Sequence, residues 1–376
     1  MYVSREVYLD DKYVLLSPAV PISSELIARL EKWNIHSVLT DGELTDSPPS
    51  TIVAGADAGS APLAAVEHGR KDTRELLEIQ KRYREFLQFA ERLFANFLTN
   101  GDLPMNPIQE QIKRIIEIMR DQKRFLLRLN EFHAGNTSYV VDHAVKTAII
   151  SVAAGQAMKM PPYRLIDVGT VAFLHEIGMV RLPSQLYMTN RELTEKERKA
   201  ITTHTVLGFK ILRQLSYPMS VCLGVLECRE HIDGTGYPRG LTGDKLSVNA
   251  KIISVCSAYS AMSSARPYRP ALDGHTIMLT LLKGRNTRYD EDVLRGLIAA
   301  LSLFPYGTYV ELANGSRAVV IDVDPGKPRN PKVRIITDVT GSALLKDQPV
   351  VETESEVYQI KGVLSAEEIL RLRQAM

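Results

Sequence analysis

A change of hydrophobic period constrains this chain most. Leu76, Ile79, Tyr83, Phe86, Ala90, Leu93 and Phe97 recur at intervals of three and four, which lays one apolar seam along a helix. After Phe304-Pro305 the interval drops to two. Between these limits, Ile108, Ile112, Ile115, Met119, Leu126 and Leu129 repeat the helical spacing beyond a loop containing Gly101 and Pro104, with Gln122 as a polar interruption. The two segments predict a helical hairpin. Its seams either pack against their own domain or form a homodimer or signal-relay interface. Residues 137–304 keep a mostly helical period, with a capping box at Thr194 and Glu197 and a second cap at Asp290. Beyond them, Thr308–Ala313, an Asn314-Gly315 turn, Arg317–Val323 and Lys332–Thr337 follow the pattern of hairpins. A helix over Ser365–Ala375 follows.

The N-terminal end reads differently. Residues 5–16 predict two short strands around Asp10-Asp11, then a helix introduced by Pro21 and Ser23 and ending near Trp33, then a strand from Ile35 to Leu39. From Asp41 to Gly69 the chain is dominated by Gly, Ala, Ser, Pro and Asp, which cannot build a core and reads as a flexible linker. The expected organisation is therefore an α+β module at 1–40, a linker at 41–69, a helical hairpin at 70–136, a helical domain at 137–304 and a β-barrel-like segment at 305–376. A chain of 376 residues has room for such a division.

Composition excludes several function classes. No apolar run approaches the ~20 residues of a membrane span, and the first residues lack a basic segment followed by an apolar core, so a cytoplasmic protein is expected. A net charge of +2 with no basic tail argues against duplex nucleic acid as a partner. Three cysteines without a CxxC indicate neither a disulfide framework nor a zinc finger, and Cys222 and Cys256 read as small buried hydrophobes.

The chemistry-bearing residues are His143, the doublet His175-Glu176, His204, and the stretch Cys228-Arg229-Glu230-His231-Ile232-Asp233-Gly234-Thr235-Gly236-Tyr237-Pro238-Arg239-Gly240-Leu241, followed by Arg266-Pro267-Tyr268-Arg269. In this order and spacing they resemble the HD-GYP family of cyclic di-GMP phosphodiesterases. The resemblance covers roughly residues 137–304 and implies a mainly α fold, an HD-type all-helical domain, carrying a centre of two or three metals that activates water and neutralises phosphate.

Position by position, the resemblance keeps some ligands and replaces others. His143, His175 and His204 match family ligands; the bridging aspartate is Glu176, longer by one methylene against a tolerance of roughly 0.2 Å. Tyr139 stands where some members place a third-metal carboxylate, and Met179 where the family has a lysine. The family's His-His pair falls on Cys228 and Arg229, and its aspartates before the Arg-Pro-Tyr-Arg segment on Ser257 and Ser260. A thiolate can bind a metal, but a guanidinium offers no lone pair and stays cationic. At ~4 Å a divalent ion and a unit charge repel by about 8 kcal/mol at an effective dielectric near 20. The implied metal set is His143, His175, Glu176, His204 and Cys228, holding one divalent ion (Fe, Mn or Zn) in place of a bridged pair. Glu176 is the candidate catalytic residue.

Arg229, Tyr237, Arg266 and Arg269 are the candidate ligand-binding residues, because forked donors suit phosphate oxygens. Gly236, Tyr237 and Pro238 form a stiff turn that the family links to contacts with diguanylate cyclase domains. His36, His68, His133, His231 and His275 read as ordinary core or surface residues. The expected function is a degenerate HD-GYP protein of cyclic di-GMP signalling that binds nucleotide or a protein partner with little hydrolysis. The alternatives are an active phosphodiesterase releasing pGpG or GMP, and a dimeric scaffold without nucleotide.

Overall fold

A computed structural model describes residues 2–3, 7–10, 13–16, 22, 27, 38, 40, 44–45, 63–121, 138–183, 185–188, 191–264, 271–324, 326–344 and 348–375. It divides into two units, Met1–Asp72 and Thr73–Met376. In the first, β1 (Tyr2–Val3) pairs with β4 (Leu44–Thr45), and β2 (Val7–Asp10) pairs with β3 (Tyr13–Leu16), both antiparallel. Two short paired strands are what the alternation over residues 5–16 predicts, with Asp10 opposite Tyr13; the turn between them lies outside the described residues. The helix expected at 21–33 and the strand expected at 35–39 lie outside the described residues, apart from the isolated positions 22, 27 and 38.

The stretch read as a linker carries structure at both ends, which corrects the composition-based expectation. β4 lies within it, and α1 (Leu63–Asn100) begins before Gly69. Leu63, Ala64, Ala65 and Glu67 are strong helix formers, and a count of small residues hides that.

In the second unit, α1 ends at Gly101, whose φ of +73° only glycine adopts without strain. α2 (Met105–Asp121) follows. The paired seams are buried: Tyr83, Phe86, Phe97, Ile108, Ile112 and Ile115 all join the main core. Phe94 packs on Phe173 of the helical segment that follows, in the same core, with ring centroids 5.6 Å apart. The hairpin thus packs against its own domain, the first of the two expected alternatives. Gln122, Leu126 and Leu129 lie outside the described residues.

α3 (Tyr139–Ala157) is the axis of the domain. Every residue from Val140 to Gly155 is buried, the apolar majority in the core and the polar Asp142, His143 and Lys146 through specific partners. α4 (Pro162–Leu174), α9 (Val248–Ser263), α11 (Glu291–Leu301) and α2 pack around it, and the intervening helices are α5 (Gln185–Met188), α6 (Glu195–Thr202), α7 (His204–Gln214), α8 (Met219–Glu227) and α10 (Gly274–Lys283). Both predicted caps form: Thr194 and Glu197 make a reciprocal capping box, and the Asp290 carboxylate accepts from the amides of Asp292 and Val293. Among the described residues no helix is long and apolar enough to cross a membrane.

The last part is a five-stranded antiparallel sheet of β5 (Tyr309–Leu312), β6 (Arg317–Asp322), β7 (Lys332–Ile335), β8 (Val350–Glu352) and β9 (Ile360–Val363), in the order β8-β7-β6-β5-β9. Alternating residues Val310, Leu312, Ala318, Val320 and Val333 form its own core. Gly315 makes the β5–β6 turn at φ +86°. α12 (Ala366–Ala375) follows, and its Leu372 packs with Ile336 and Leu364.

Candidate metal and ligand site

The donors come from α3 and from two helix ends, that of α4 and the start of α7. His143 sits one turn into α3, His175 and Glu176 end α4, and His204 begins α7. The chain after Glu176 tightens into a short 3-10 turn, Ile177–Arg181, pressed on α7. A Cβ at Gly178 would lie 2.0 Å from the His204 carbonyl oxygen, so only glycine allows this approach. His143, His175 and Glu176 each offer a ligand atom, all within 4.8 Å of one another. The three are buried.

Hydrogen bonds orient the imidazoles. His175 Nδ1 is 2.7 Å from the Ala172 carbonyl and His204 Nδ1 is 2.7 Å from that of Ile201. A carbonyl only accepts, so both Nδ1 atoms carry protons and both Nε2 atoms keep a lone pair. The His175 lone pair points at His143 Nε2, 3.3 Å away, which must supply a proton there or share a cation. His143 also meets Ser260 Oγ at 3.1 Å and Ser257 Oγ at 3.3 Å. His204 Nε2 and Glu176 Oε2 are buried with no hydrogen-bond partner among the described residues. Burial pushes the His175 pKa down to about 4, with the Arg229 charge adding to it against the pull of Glu176. The ring is therefore neutral near pH 7, as a metal ligand must be.

Arg229 enters from the turn after α8. Its Nη2 donates to Glu176 Oε1 at 2.7 Å, and the same oxygen is 3.8 Å from His143 Nε2 and 4.0 Å from His175 Nε2. Burial alone would raise the Glu176 carboxyl, but His143, His175, Arg229 and His204 together hold it far below the usual carboxylate range. It is an anion. Burial disfavours the charged Arg229, yet Glu176 together with Cys228, Tyr237 and Tyr139 outweighs it and raises the pKa. Cys228 stands outside the donor cluster, its Sγ donating to the Val225 carbonyl at 3.2 Å, and burial pushes the thiol up to about 12.

The donor set fits one divalent cation. Two oriented imidazoles and a carboxylate are a common three-ligand arrangement, and the unpartnered His204 Nε2 adds a fourth nitrogen nearby. Arg229 holds Glu176 Oε1, the oxygen nearest His143 and His175, so its guanidinium would stand beside any cation bound there.

The loop bearing Tyr237 is stapled from beneath by two buried carboxylates. Glu230 accepts from the amides of Arg239 (2.7 Å) and Leu241 (3.1 Å), while Glu227 accepts from Arg239 Nη2 and from the amide of Ser247 (3.0 Å). A Cβ on Gly236 would lie 2.3 Å from the His231 nitrogen, which explains that glycine. Tyr237 consequently meets His204 edge-on at 6.3 Å, and Gly236, Tyr237 and Pro238 are half-buried. His231 lies near Thr235 and Arg288, and His275 stacks on Phe304, both away from the cluster. His36 and His133 lie outside the described residues, as do Arg266 and Arg269; the side chain of His68 does also.

A cavity of about 660 Å³ opens over the cluster, lined by Glu176, Met179, His204, Arg229 and Tyr237. Tyr139 lines it too, stacked on His143 with centroids 5.4 Å apart. The opposite wall comes from residues that sequence reading passed over, Tyr187, Arg191 and Arg198. Arg191 pairs with Glu197 through two contacts, at 2.5 and 2.8 Å. Two arginines flanking a capping box were the available signal; their placement against Glu176 depends on tertiary packing.

The family described as an HD domain matches residues 115–293, and one described as a KOW domain associated with HD domain matches residues 309–372. The chain is 28% identical over 343 residues to the cyclic di-GMP phosphodiesterase PdeB of Borreliella burgdorferi, covering 89% of this chain and 85% of that protein. It is 27% identical over 216 residues to the cyclic di-GMP phosphodiesterase PA4108 of Pseudomonas aeruginosa, spanning 56% of this chain and 51% of that one. Among solved structures, the HDG"Y"P protein Bd1817 of Bdellovibrio bacteriovorus aligns with a TM-score of 0.49 at 15% identity, covering 79% of this chain and 94% of that one.

Proposed function

We propose that this chain is a member of the HD-GYP family through its HD domain, and that its cavity binds a cyclic dinucleotide, cyclic di-GMP, with little or no hydrolysis. The observation that carries this reading is the 2.7 Å contact between Arg229 and Glu176. A fixed guanidinium stands where a second divalent cation would share the carboxylate. Its charge attracts a phosphodiester, whereas it cannot lower the pKa of a bound water as a metal does. Loss of the lysine at Met179 removes another phosphate partner and leaves an apolar wall. A cavity of about 660 Å³ lies within the usual range for small-molecule sites, roughly 300–1,000 Å³.

His143, His175 and Glu176, with His204 nearby, would hold one divalent cation of the Fe, Mn or Zn class. When bound, it supplies Lewis acidity toward a phosphoryl oxygen. The protein's own groups do the rest: the Nδ1 bonds of His175 and His204 keep their tautomers, Arg229 faces the phosphate, and Tyr139 and Tyr237 offer rings to the bases. Calorimetry with cyclic di-GMP, with metal content measured on the same sample, tests this. Saturable binding, at most one cation per chain and no release of pGpG are expected. Two cations per chain with sustained turnover would overturn it.

A second reading, an active altered phosphodiesterase using Glu176, is favoured by one observation. The relative that spans 89% of the chain is named a phosphodiesterase. The same assay separates the two.

A further inference from the structure

Asp142 and Lys146 form an ion pair of 2.9 Å in the middle of the buried helix α3. Such a pair contributes little net stability, since well-packed apolar residues would serve equally well, so its geometry is more informative than its energy. Asp142 Oδ1 accepts from the Tyr83 hydroxyl of α1 at 2.5 Å, and Lys146 Nζ also donates to Ser264 Oγ at 3.2 Å, at the end of α9. Tyr83, Asp142 and Lys146 are 2%, 5% and 8% exposed. A continuous polar chain therefore runs from the N-terminal helix, past the residue adjoining His143, to the point where α9 ends. His143 is bound to that same α9 through Ser257 and Ser260. The backbone beyond Ser264 returns to close a hydrogen bond from the Leu272 amide to the Met262 carbonyl, 3.0 Å. The bracketed stretch contains Arg266 and Arg269 in sequence.

We infer that Tyr83, Asp142 and Lys146 are positioning residues through which α1 sets the register of α3 against α9, and with it the ligand site. The Tyr83–Asp142 bond ties α1 to α3 and the Lys146–Ser264 bond ties α3 to the end of α9; an apolar contact tolerates sliding, whereas such buried, directed hydrogen bonds select one register. Any load on α1 is thus transmitted along α3, which carries His143, to the end of α9 at Ser264 without touching the ligand. The ligand half of this inference rests on the cyclic dinucleotide reading; the mechanical half does not.

Hydrogen exchange by mass spectrometry and calorimetry on the full chain test both halves. Tyr83→Phe removes one hydroxyl and keeps the ring; Phe86→Leu, on the same helix and outside the polar chain, is the control for general loosening. Tyr83→Phe is expected to accelerate exchange of the peptide containing the Leu272 amide about tenfold and to weaken cyclic di-GMP binding at least fivefold. Phe86→Leu should leave that peptide unchanged. Lys146→Met should reproduce the Tyr83→Phe effect, and the double variant should be no worse than either single one. Equal acceleration by Tyr83→Phe and Phe86→Leu, or none near Leu272, would overturn the inference. Acceleration specific to Tyr83→Phe in a protein that binds no cyclic di-GMP would support the positioning chain and sink the ligand assignment instead.

Discussion

At the scale of single residues, the site turns on Arg229 and Cys228, the positions where the family resemblance expects a His-His pair. Arg229 holds Glu176 as an anion, so removing its charge leaves a buried carboxylate with only imidazoles around it. Breaking a fully buried pair costs ~3–5 kcal/mol. Because 26% of the Arg229 side chain is exposed, Arg229→Met should cost less, about 2 kcal/mol in a urea titration with chelator present. Manganese should restore most of it by supplying the missing charge; no recovery would show that the cluster does not take a cation. Cys228 has the opposite fate. With its thiol pushed up to about 12 it stays protonated near neutral pH, so Cys228→Ser should leave metal stoichiometry unchanged, and native Cys228 should resist iodoacetamide at pH 8. A fall in zinc affinity for that variant would restore it as a ligand. The sequence made both replacements visible, because identity at a known spacing is local information. That Arg229 would reach Glu176, 53 residues earlier, was not legible. Nor was the protonated state of Cys228, which burial alone decides.

Elements bring these residues together by backbone contact as much as by side chains. The turn carrying Glu176 touches α7 at Gly178, where an added Cβ would stand 2.0 Å from the His204 carbonyl oxygen and 2.8 Å from the Gly208 nitrogen. Both obstacles are backbone, so neither yields by a rotamer change. Gly178→Ala should therefore cost about 3 kcal/mol and lower metal affinity together with stability, since it parts His175 and Glu176 from His204. Thr194→Ala offers the contrast. It removes one capping box from α6 and should cost about 1 kcal/mol with metal affinity intact. Parallel denaturation and metal titration of the two variants would separate a site-assembling contact from a local one. The capping box was legible in sequence because all its partners lie within four residues. The Gly178 contact was not, and neither was the β1–β4 pairing, which joins residues some forty positions apart.

Across the whole molecule, the second unit has separate cores. The helices enclose one, in which α3 is wholly buried; β5–β9 enclose another around Val310, Val320 and Val333. They meet at the segment after α11. There Ser302 Oγ and the Leu303 amide both donate to the Pro328 carbonyl, at 2.7 and 3.0 Å, and Phe304 stacks on His275 at 4.7 Å. The switch of hydrophobic period at Phe304-Pro305 falls between the end of α11 and the start of β5, and each period needs its own kind of packing partner. Every residue of the metal cluster and cavity comes from the helical side. Val320, fully buried in the sheet, can then be truncated without disturbing the site. Val320→Ala should cost about 2 kcal/mol for the lost methyl groups and the space they leave. Hydrogen exchange should rise in peptides spanning 309–363 and stay unchanged in those containing His143, His175 and His204, because separate cores open separately. Cyclic di-GMP affinity should also be unchanged. A loss of affinity alongside exchange confined to the sheet would mean that the sheet bears on the ligand, through 302–305 or by direct contact, and that the two cores act as one.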